Sequence, residues 1–197
     1  SILLKCFNYD RHWKFNEESI KKDDISFIKK YNKAIWRGRT TGFKNRPANR
    51  FDLVEKFFGN KYIDVAFTRI VQDKDEYKEY LKEEIKKKDL LKYKFLIMIE
   101  GNDKASGLNW ALLSNSVVIM PKPTICSWLM EDKLVPGEHY ILIKDDFSDL
   151  IDKYKWAMSN LRKCQEINKN AKSYMRQFMN QKNEDFIEKE VIRKYFS

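Results

Sequence analysis

The sequence predicts an α/β fold with a parallel, doubly wound sheet and helices on both of its faces. Short apolar runs alternate with segments of helical periodicity along most of the chain. Strands that are buried on both faces form such continuous apolar runs, and helical connections between them favour parallel pairing. Hydrophobic residues make up 43% of the chain and aromatic residues 14%, which is enough for a packed core.

In the first half of the chain we expect strands over 2–7, 34–36 and 63–67. A helix is predicted over 48–58, because apolar side chains recur there at helical spacing, namely Phe51, Val54, Phe57 and Phe58. The first strand is already in progress at Ser1, without an initiator methionine. We therefore expect the chain to begin inside a larger protein.

The second half continues the alternation. Helices are expected over 75–88, 108–114 and 128–131, and strands over 95–99, 117–120 and 139–143. Pro121 ends the strand at 117–120, because proline cannot donate to a strand ladder. Everything after Asp146 is predicted to form amphipathic helices that pack against the core.

Charge and cysteine content narrow the function classes. The net charge is +10, which suits nucleic acid, an anionic membrane surface or a phosphorylated substrate. Charges of both signs are mixed in the densest run, 82–88, which argues against a nucleic-acid stripe. Three widely spaced cysteines indicate neither a disulfide framework nor a metal site, and favour the reducing cytoplasm. No apolar run approaches the roughly 20 residues of a membrane span, so any membrane contact would be peripheral.

Two strand ends are followed by loops of the kind that bind phosphate. The 34–36 strand continues into the arginine-rich segment 37–46, and the 95–99 strand into the Gly/Asn/Asp/Ser segment 100–107. Free backbone N–H groups and the helix dipole converge where such loops enter a helix. The pair of loops therefore indicates an anionic ligand such as a nucleotide diphosphate.

Ordered motifs along the whole chain resemble glycosyltransferase family 90. The segments that carry the resemblance are Trp36–Thr41, Asn49–Phe51, Leu91–Phe95, Glu100–Ser106, Ser114–Val118, Pro136–Tyr140 and Asp149–Leu150. The family includes lipopolysaccharide-modifying transferases, a fungal capsule xylosyltransferase and protein O-glucosyltransferases. This sequence is most similar to the bacterial lipopolysaccharide branch.

The resemblance implies a GT-B architecture, in which two Rossmann-like domains face each other across a cleft. The chain would supply the donor-binding half, with residues 31–180 as the nucleotide-sugar-binding domain. Residues 1–30 would be a remnant of the N-terminal, acceptor-side domain and its linker, and 181–197 a C-terminal helix that can cross back to that domain. The implied reaction transfers a sugar from a nucleotide donor, usually a UDP-sugar, to a hydroxyl of a glycan or lipopolysaccharide acceptor. It needs no metal ion and no cofactor.

In the first loop, Arg37 and Arg39 align with the family's RG-x-R motif, and Arg50 with the arginine that opens the next helix. A guanidinium can hold a diphosphate through two parallel hydrogen bonds, and the alternative for each arginine is a structural ion pair. Gly38 would permit close backbone approach. Thr40 would either cap the helix or contact the ligand.

In the second loop, four positions match the family's stretch between strand and helix: Gly101, Asn102, Ala105 and Ser106. Protein O-glucosyltransferases carry an arginine a few positions further on, where this chain has Leu108 and Asn109. Lys104 or Arg46 would then supply the missing charge, and Asn109 stays a donor-binding candidate.

Three further side chains complete the expected donor site. Glu131 would receive the ribose hydroxyls, and Ser116 would lie against the nucleotide, with a structural role as the alternative for each. His139 would contact the sugar or acceptor, or be structural. The general base is not identified, and its candidates are Asp10 and His12.

Two other function classes stay open, namely a non-catalytic nucleotide- or glycan-binding module and a basic nucleic-acid-binding domain. We expect no nucleic-acid partner and a cytoplasmic location, with the inner face of the membrane as an alternative.

Overall fold

The computed structural model describes residues 15–127 and 129–197. The strand predicted over 2–7 and the candidate bases Asp10 and His12 lie outside these residues, as does Trp128.

The core of the fold is one five-stranded sheet in the order β2-β1-β3-β4-β5. Its strands are β1 Tyr31–Arg39, β2 Ile63–Arg69, β3 Tyr93–Ile97, β4 Val117–Met120 and β5 Ile141–Leu142. Every neighbouring pair is parallel. The predicted parallel sheet is confirmed.

The helices are α1 Phe15–Asp23, α2 Arg50–Phe57, α3 Lys87–Leu90, α4 Leu108–Ala111, α5 Leu150–Ser159, α6 Leu161–Arg176 and α7 Gln181–Phe196. Helix α2 begins at an asparagine cap, because the Asn49 side chain accepts a hydrogen bond from the Asp52 amide at 2.9 Å. Helix α7 has no buried residue and exposes apolar side chains such as Phe186 and Phe196. Whether it crosses to another domain stays a prediction, as does the division of the chain into 1–30, 31–180 and 181–197.

Helices cover both faces of the sheet, as the doubly wound prediction requires. Alternate residues of β1 belong to different cores: Ala34 and Trp36 to one, Ile35 to the other. The first core contains α2, α5 and the start of α6, and the second contains α4 and the end of α6. Period-two alternation of strand side chains thus gives two cores on one sheet.

The segment 75–88 is not the helix that its charge-rich sequence predicted. A 3-10 helix covers only Asp75–Tyr80, and Leu81 then forms an isolated bridge to Phe67 beside β2. Tyr77 is buried and its ring lies 4.7 Å from that of Phe51. Burial of this aromatic ring against α2 outweighs the local helical propensity.

Three smaller boundaries also differ from prediction. The segment expected to be helical over 128–131 has instead a 3-10 helix at Glu131–Lys133, and β5 is shorter than 139–143. The C-terminal helical region is confirmed, but it is broken at Asn160 and Asn180. The Asn180 side chain caps α7 by accepting from the Asn183 amide, whereas the Asn160 side chain donates to the Trp156 carbonyl of the preceding helix. Asparagine favours such positions, because its side chain competes for backbone hydrogen bonds.

The strand order places a topological switch point between β1 and β3. From β1 the chain moves through α2 to β2 on one side, whereas β3 pairs with β1 on the other side. Loops after adjacent strands therefore diverge at the carboxyl ends of β1 and β3 and leave a crevice between them, which is where α/β sheets of this order bind ligands.

Candidate functional site

A cleft of about 600 Å³ lies at the carboxyl ends of β1 and β3. We call it the switch-point cleft. Its walls include Arg39 and Arg50 from the β1 side and Lys104, Ala105 and Ser106 from the loop after β3. An adjoining recess of about 250 Å³ shares Arg50 and Asn102 with it and adds Gly101. The structure thus brings together most of the candidates from the two predicted loops.

Arg50 is held in place by neutral oxygen acceptors from both loops. Its guanidinium donates to the carbonyls of Glu100 (3.1 Å), Ile99 (3.2 Å) and Arg39 (3.3 Å). It also donates to the Thr41 hydroxyl at 2.6 Å. These bonds fix the side chain where the ends of β1 and β3 meet.

The positive charge of Arg50 is not balanced by an acid. No carboxylate of residues 17–127 or 129–197 forms an ion pair with its guanidinium. Burial lowers the pKa of Arg50 to about 10. The Trp36 ring, 5.7 Å from the guanidinium carbon, provides partial compensation through a cation–π contact. A desolvated cation without a counter-ion favours the binding of an anion at the same place.

The position of the Arg50 guanidinium requires a glycine at residue 101. A Cβ at residue 101 would lie 2.6 Å from Thr41 Oγ1 and 2.7 Å from Arg50 Cζ. Any side chain here would displace the guanidinium from its acceptors. Gly101 was a candidate through its match to the family's loop, and in the structure it is the Arg50 guanidinium that approaches its backbone.

The two loops are fastened to each other beside Arg50. Asn102 Oδ1 accepts a hydrogen bond from the Gly42 amide at 2.8 Å. Gly42 has a φ of +99°, in the left-handed region that favours glycine. The side-chain oxygen of Asn102 therefore has a structural partner, and the loops form one rigid rim.

The other two arginine candidates differ in their surroundings. Arg39 is exposed on the wall of the cleft, and its guanidinium bonds to no residue in the described part of the chain. Arg37 lies in the same wall, but its side chain is only 6% exposed and pairs with Asp64 at 2.8 Å. Burial raises the pKa of Asp64, but hydrogen bonds from Arg37 and Lys82 outweigh this effect and hold the pKa below its usual value. These contacts favour the structural interpretation of Arg37.

Gly38 and Thr40 have structural neighbours as well. A Cβ at residue 38 would lie 2.4 Å from Trp36 Cζ2, so this glycine makes room for the tryptophan that packs under Arg50. The buried Thr40 hydroxyl donates to the Val71 carbonyl at 2.8 Å and accepts from the Val71 amide at 2.7 Å. Thr40 thereby ties the end of β1 to the loop after β2.

Lys104 and Glu131 form a buried ion pair at 3.1 Å, with side chains 9% and 2% exposed. Lys104 also donates to Asn109 Oδ1 (3.0 Å) and Ser127 Oγ (2.8 Å). Both members of the pair line a small cavity of about 40 Å³ between the ends of β3 and β4. Lys104, Asn109 and Glu131 thus belong to one network, although they are widely separated in the sequence.

Glu100 is a site residue that the sequence reasoning missed. Its carboxylate accepts hydrogen bonds from the amides of Thr124 and Ile125, both at 3.0 Å, and from the Thr124 hydroxyl. Its backbone carbonyl accepts from Arg50. Glu100 therefore connects the loop after β4 to the arginine site. The available signal was a carboxylate immediately after a buried strand.

Ser116 and His139 lie away from the cleft. Each precedes a strand, β4 or β5, at the amino edge of the sheet. The buried Ser116 hydroxyl donates to the Tyr93 carbonyl at 2.7 Å. His139 Nδ1 accepts from the Val135 amide at 2.8 Å, and burial lowers the pKa of His139, although Glu138 partly opposes this. The structure does not bring either residue to the switch point.

The described residues contain no cluster of three or more histidine, cysteine, aspartate or glutamate side chains that could hold a metal ion. Among the same residues, no helix has the length and apolar character that a membrane span requires.

Comparison with known proteins identifies the same family that the sequence motifs resemble. The profile of glycosyltransferase family 90 matches residues 10–195. The O-glucosyltransferase LpsA of Dichelobacter nodosus is 31% identical over 175 residues, which cover 89% of this chain and 52% of LpsA. Protein O-glucosyltransferase 2 of Danio rerio is 31% identical over 142 residues, which cover 71% of this chain and 27% of that protein.

Solved structures agree on the fold. HepE from Anabaena, crystallised with UDP-glucose, has a TM-score of 0.52 at 10% identity, with 96% of this chain and 53% of HepE covered. TarM has a TM-score of 0.52 at 14% identity, with 85% of this chain and 35% of TarM covered. This likeness in fold, together with the parallel sheet, confirms the predicted Rossmann-like fold of the GT-B donor-binding half.

Proposed function

Because the chain belongs to glycosyltransferase family 90, we propose that it is the donor-binding part of a glycosyltransferase. The chain spans about half or less of the length of the curated relatives named above. The proposed reaction transfers a sugar from a nucleotide sugar, a UDP-sugar, to a hydroxyl of a glycan acceptor such as lipopolysaccharide core. The observation that carries the proposal is the desolvated Arg50 guanidinium, fixed at the switch point with no carboxylate partner among the residues that the structure describes.

In the proposed mechanism Arg50 stabilises the leaving group. When the bond between the sugar and the diphosphate breaks, negative charge grows on the phosphate oxygens. A guanidinium that is already desolvated and held by Thr41 and backbone carbonyls needs no reorganisation to stabilise that charge. The exposed Arg39 supplies a second cation on the same wall. With these cations in place, we propose that no divalent ion is needed.

The nucleoside would lie towards β4. The cavity between β3 and β4 contains the carboxylate of Glu131, which already accepts from Ser127 and Lys104. A carboxylate has about four acceptor positions. The Ser127 amide, the Ser127 hydroxyl and Lys104 occupy three of them, so Glu131 can still accept from one ribose hydroxyl. We therefore keep Glu131 as the ribose-binding candidate and propose that Lys104 holds its carboxylate in position.

Calorimetric titration of the chain with UDP and other nucleotides tests donor binding. Transfer and donor hydrolysis are then measured with the full-length protein. Absence of binding to every nucleotide and nucleotide sugar would contradict the proposal. Binding without transfer or hydrolysis would indicate a non-catalytic module, and RNA or DNA affinity that falls steeply with salt would indicate a nucleic-acid-binding domain.

Metal independence has its own test. We expect transfer by the full-length protein to continue in excess EDTA, because arginine side chains take the place of the cation. Complete loss of transfer that manganese restores would contradict this part of the proposal.

We also propose a cytoplasmic location, with the inner face of the membrane as an alternative that the positive net charge of +10 would favour.

A further inference from the structure

A second recess, of about 330 Å³, opens on the opposite edge of the sheet from the switch-point cleft. We call it the amino-edge recess. It lies between α1, α6 and the loop that leads into β4, and its polar walls include Asp24, Asn115, Lys172 and Arg176. Asn115 immediately precedes the start of β4, which places the recess at the amino ends of the strands.

Two cations near the carboxyl end of α6, Lys172 and Arg176, face this recess. Lys172 Nζ donates to Asn115 Oδ1, and an ammonium group has three donors. The exposed guanidinium of Arg176 forms no hydrogen bond or ion pair with residues 17–127 or 129–197. Burial lowers the pKa of Lys172, Asp24 partly opposes this, and the charges of Lys30 and Arg176 lower it further.

The two acidic side chains that line the recess, Asp24 and Glu17, already form ion pairs with lysines. Asp24 pairs with Lys30 and accepts from the Asn115 amide. Glu17 pairs with Lys21 at 2.6 Å. The carboxyl end of α6 contributes only about half a negative charge. The half-buried Lys172 and the exposed Arg176 thus form a pair of positive charges that exceeds the negative charge around it.

We propose that the amino-edge recess binds a phosphate group, at a site separate from the switch-point cleft. The planar guanidinium of Arg176 presents a donor fork that matches two phosphate oxygens, and Lys172 supplies a second charged donor. A bound dianion would relieve the repulsion between the two cations. The phosphate belongs either to a small soluble anion or to the headgroup of an anionic lipid. This inference goes beyond the proposed transferase activity and does not depend on it.

Site-resolved NMR with inorganic pyrophosphate tests the proposal. We expect the backbone amides of Asn115 and Lys172 to shift in a saturable manner as pyrophosphate is added to the ¹⁵N-labelled chain. The same shifts should occur in an Arg50→Gln variant, where the switch-point cleft is impaired. Failure of the transferase proposal would therefore leave this result intact.

Variants of α6 provide the matched comparison. Lys172→Gln and Arg176→Gln should each weaken pyrophosphate binding at Asn115 about tenfold, because each removes a charged hydrogen bond. Lys169→Gln, one turn earlier and exposed on the same helix, should leave the affinity unchanged. Arg176 is exposed, so its substitution keeps the test valid if Lys172→Gln does not fold.

Sedimentation with vesicles distinguishes the two sources of phosphate. Binding to vesicles of phosphatidylcholine and phosphatidylglycerol in equal parts, absent for pure phosphatidylcholine and lost in Arg176→Gln, would identify a lipid headgroup. Pyrophosphate binding without such vesicle binding would identify a soluble anion. Shifts at Asn115 that are absent, that do not saturate, or that are unchanged in both variants would overturn the proposal.

Discussion

The guanidinium of Arg50 lies directly over Gly101, since a Cβ on residue 101 would be 2.7 Å from Arg50 Cζ. We therefore expect Gly101→Ala to push the guanidinium away from the Ile99 and Glu100 carbonyls. UDP affinity should fall about tenfold or more, because a charged hydrogen bond of about 1.5–3 kcal/mol is misplaced. Calorimetry on the folded variant measures this.

Gly59→Ala is the control for that substitution. A Cβ at residue 59 meets no atom of the described residues within 4 Å, and residue 59 does not line the switch-point cleft. The change should leave UDP affinity nearly unchanged. Equal affinities for wild type and Gly101→Ala would show that the position of Arg50 is not important for the nucleotide.

For Arg37 we expect a loss of stability without a loss of UDP affinity. Arg37→Gln should destabilise the fold by about 2–3 kcal/mol, because it removes a charged hydrogen bond from the half-buried Asp64 while Lys82 still pairs with that acid. UDP affinity should stay nearly unchanged. Urea unfolding and calorimetry on the same sample measure the two quantities.

In Lys82→Gln the exposed partner of Asp64 is removed, and at most about 1 kcal/mol should be lost. A large drop in UDP affinity for Arg37→Gln, with normal stability, would instead assign Arg37 to the diphosphate.

The arginines show what the sequence could and could not predict. Apolar runs were sufficient to place four strands, and the loops at the ends of β1 and β3 followed from them. In the sequence, however, Arg37, Arg39 and Arg50 are equivalent cations. Only the register of β1 on β2, in which Ile35 lies opposite Asp64, brings the carboxylate of Asp64 beside Arg37.

The role of Glu100 was missed because its hydrogen-bond partners lie far away in the sequence. The partners of Glu100 are Thr124 and Ile125, which follow the next strand of the sheet, so no local pattern indicates them. Ser116 and His139 were placed by motif alone. Both residues lie at the start of strands that the sequence already predicted, at 117–120 and 139–143, so their place at the amino edge of the sheet could have been derived from those strands.

Glu100 should control the mobility of the loop after β4. In Glu100→Ala the amides of Thr124 and Ile125 lose their acceptor, so their hydrogen exchange should become faster by at least about fivefold. Exchange of the β3 amides should stay unchanged. Glu138→Ala, at an exposed carboxylate, serves as the control. Unchanged exchange at both loop amides would show that the carboxylate does not hold the loop.

His139 should make stability depend on pH. Its pKa is lowered in the folded state, so the unfolded chain binds more protons near the ordinary pKa of about 6.5. The contribution of His139 is therefore present above that pH and is lost as the pH falls below it, when Nδ1 can no longer accept from Val135.

The measurement is the free energy of unfolding of wild type and His139→Gln between about pH 8 and pH 5. The advantage of wild type should shrink as the pH falls. A difference that is constant across this range, or that grows at low pH, would contradict the assignment.

The central claim is that Arg50 binds the diphosphate of a nucleotide donor, and calorimetric titration with UDP tests it most directly. Wild type should bind UDP, and Arg50→Gln should bind it about 10- to 100-fold more weakly, because a desolvated charged donor is lost. Arg162→Gln, at an exposed position of α6, should bind UDP like wild type. Equal affinity of wild type and a folded Arg50→Gln variant would contradict the account.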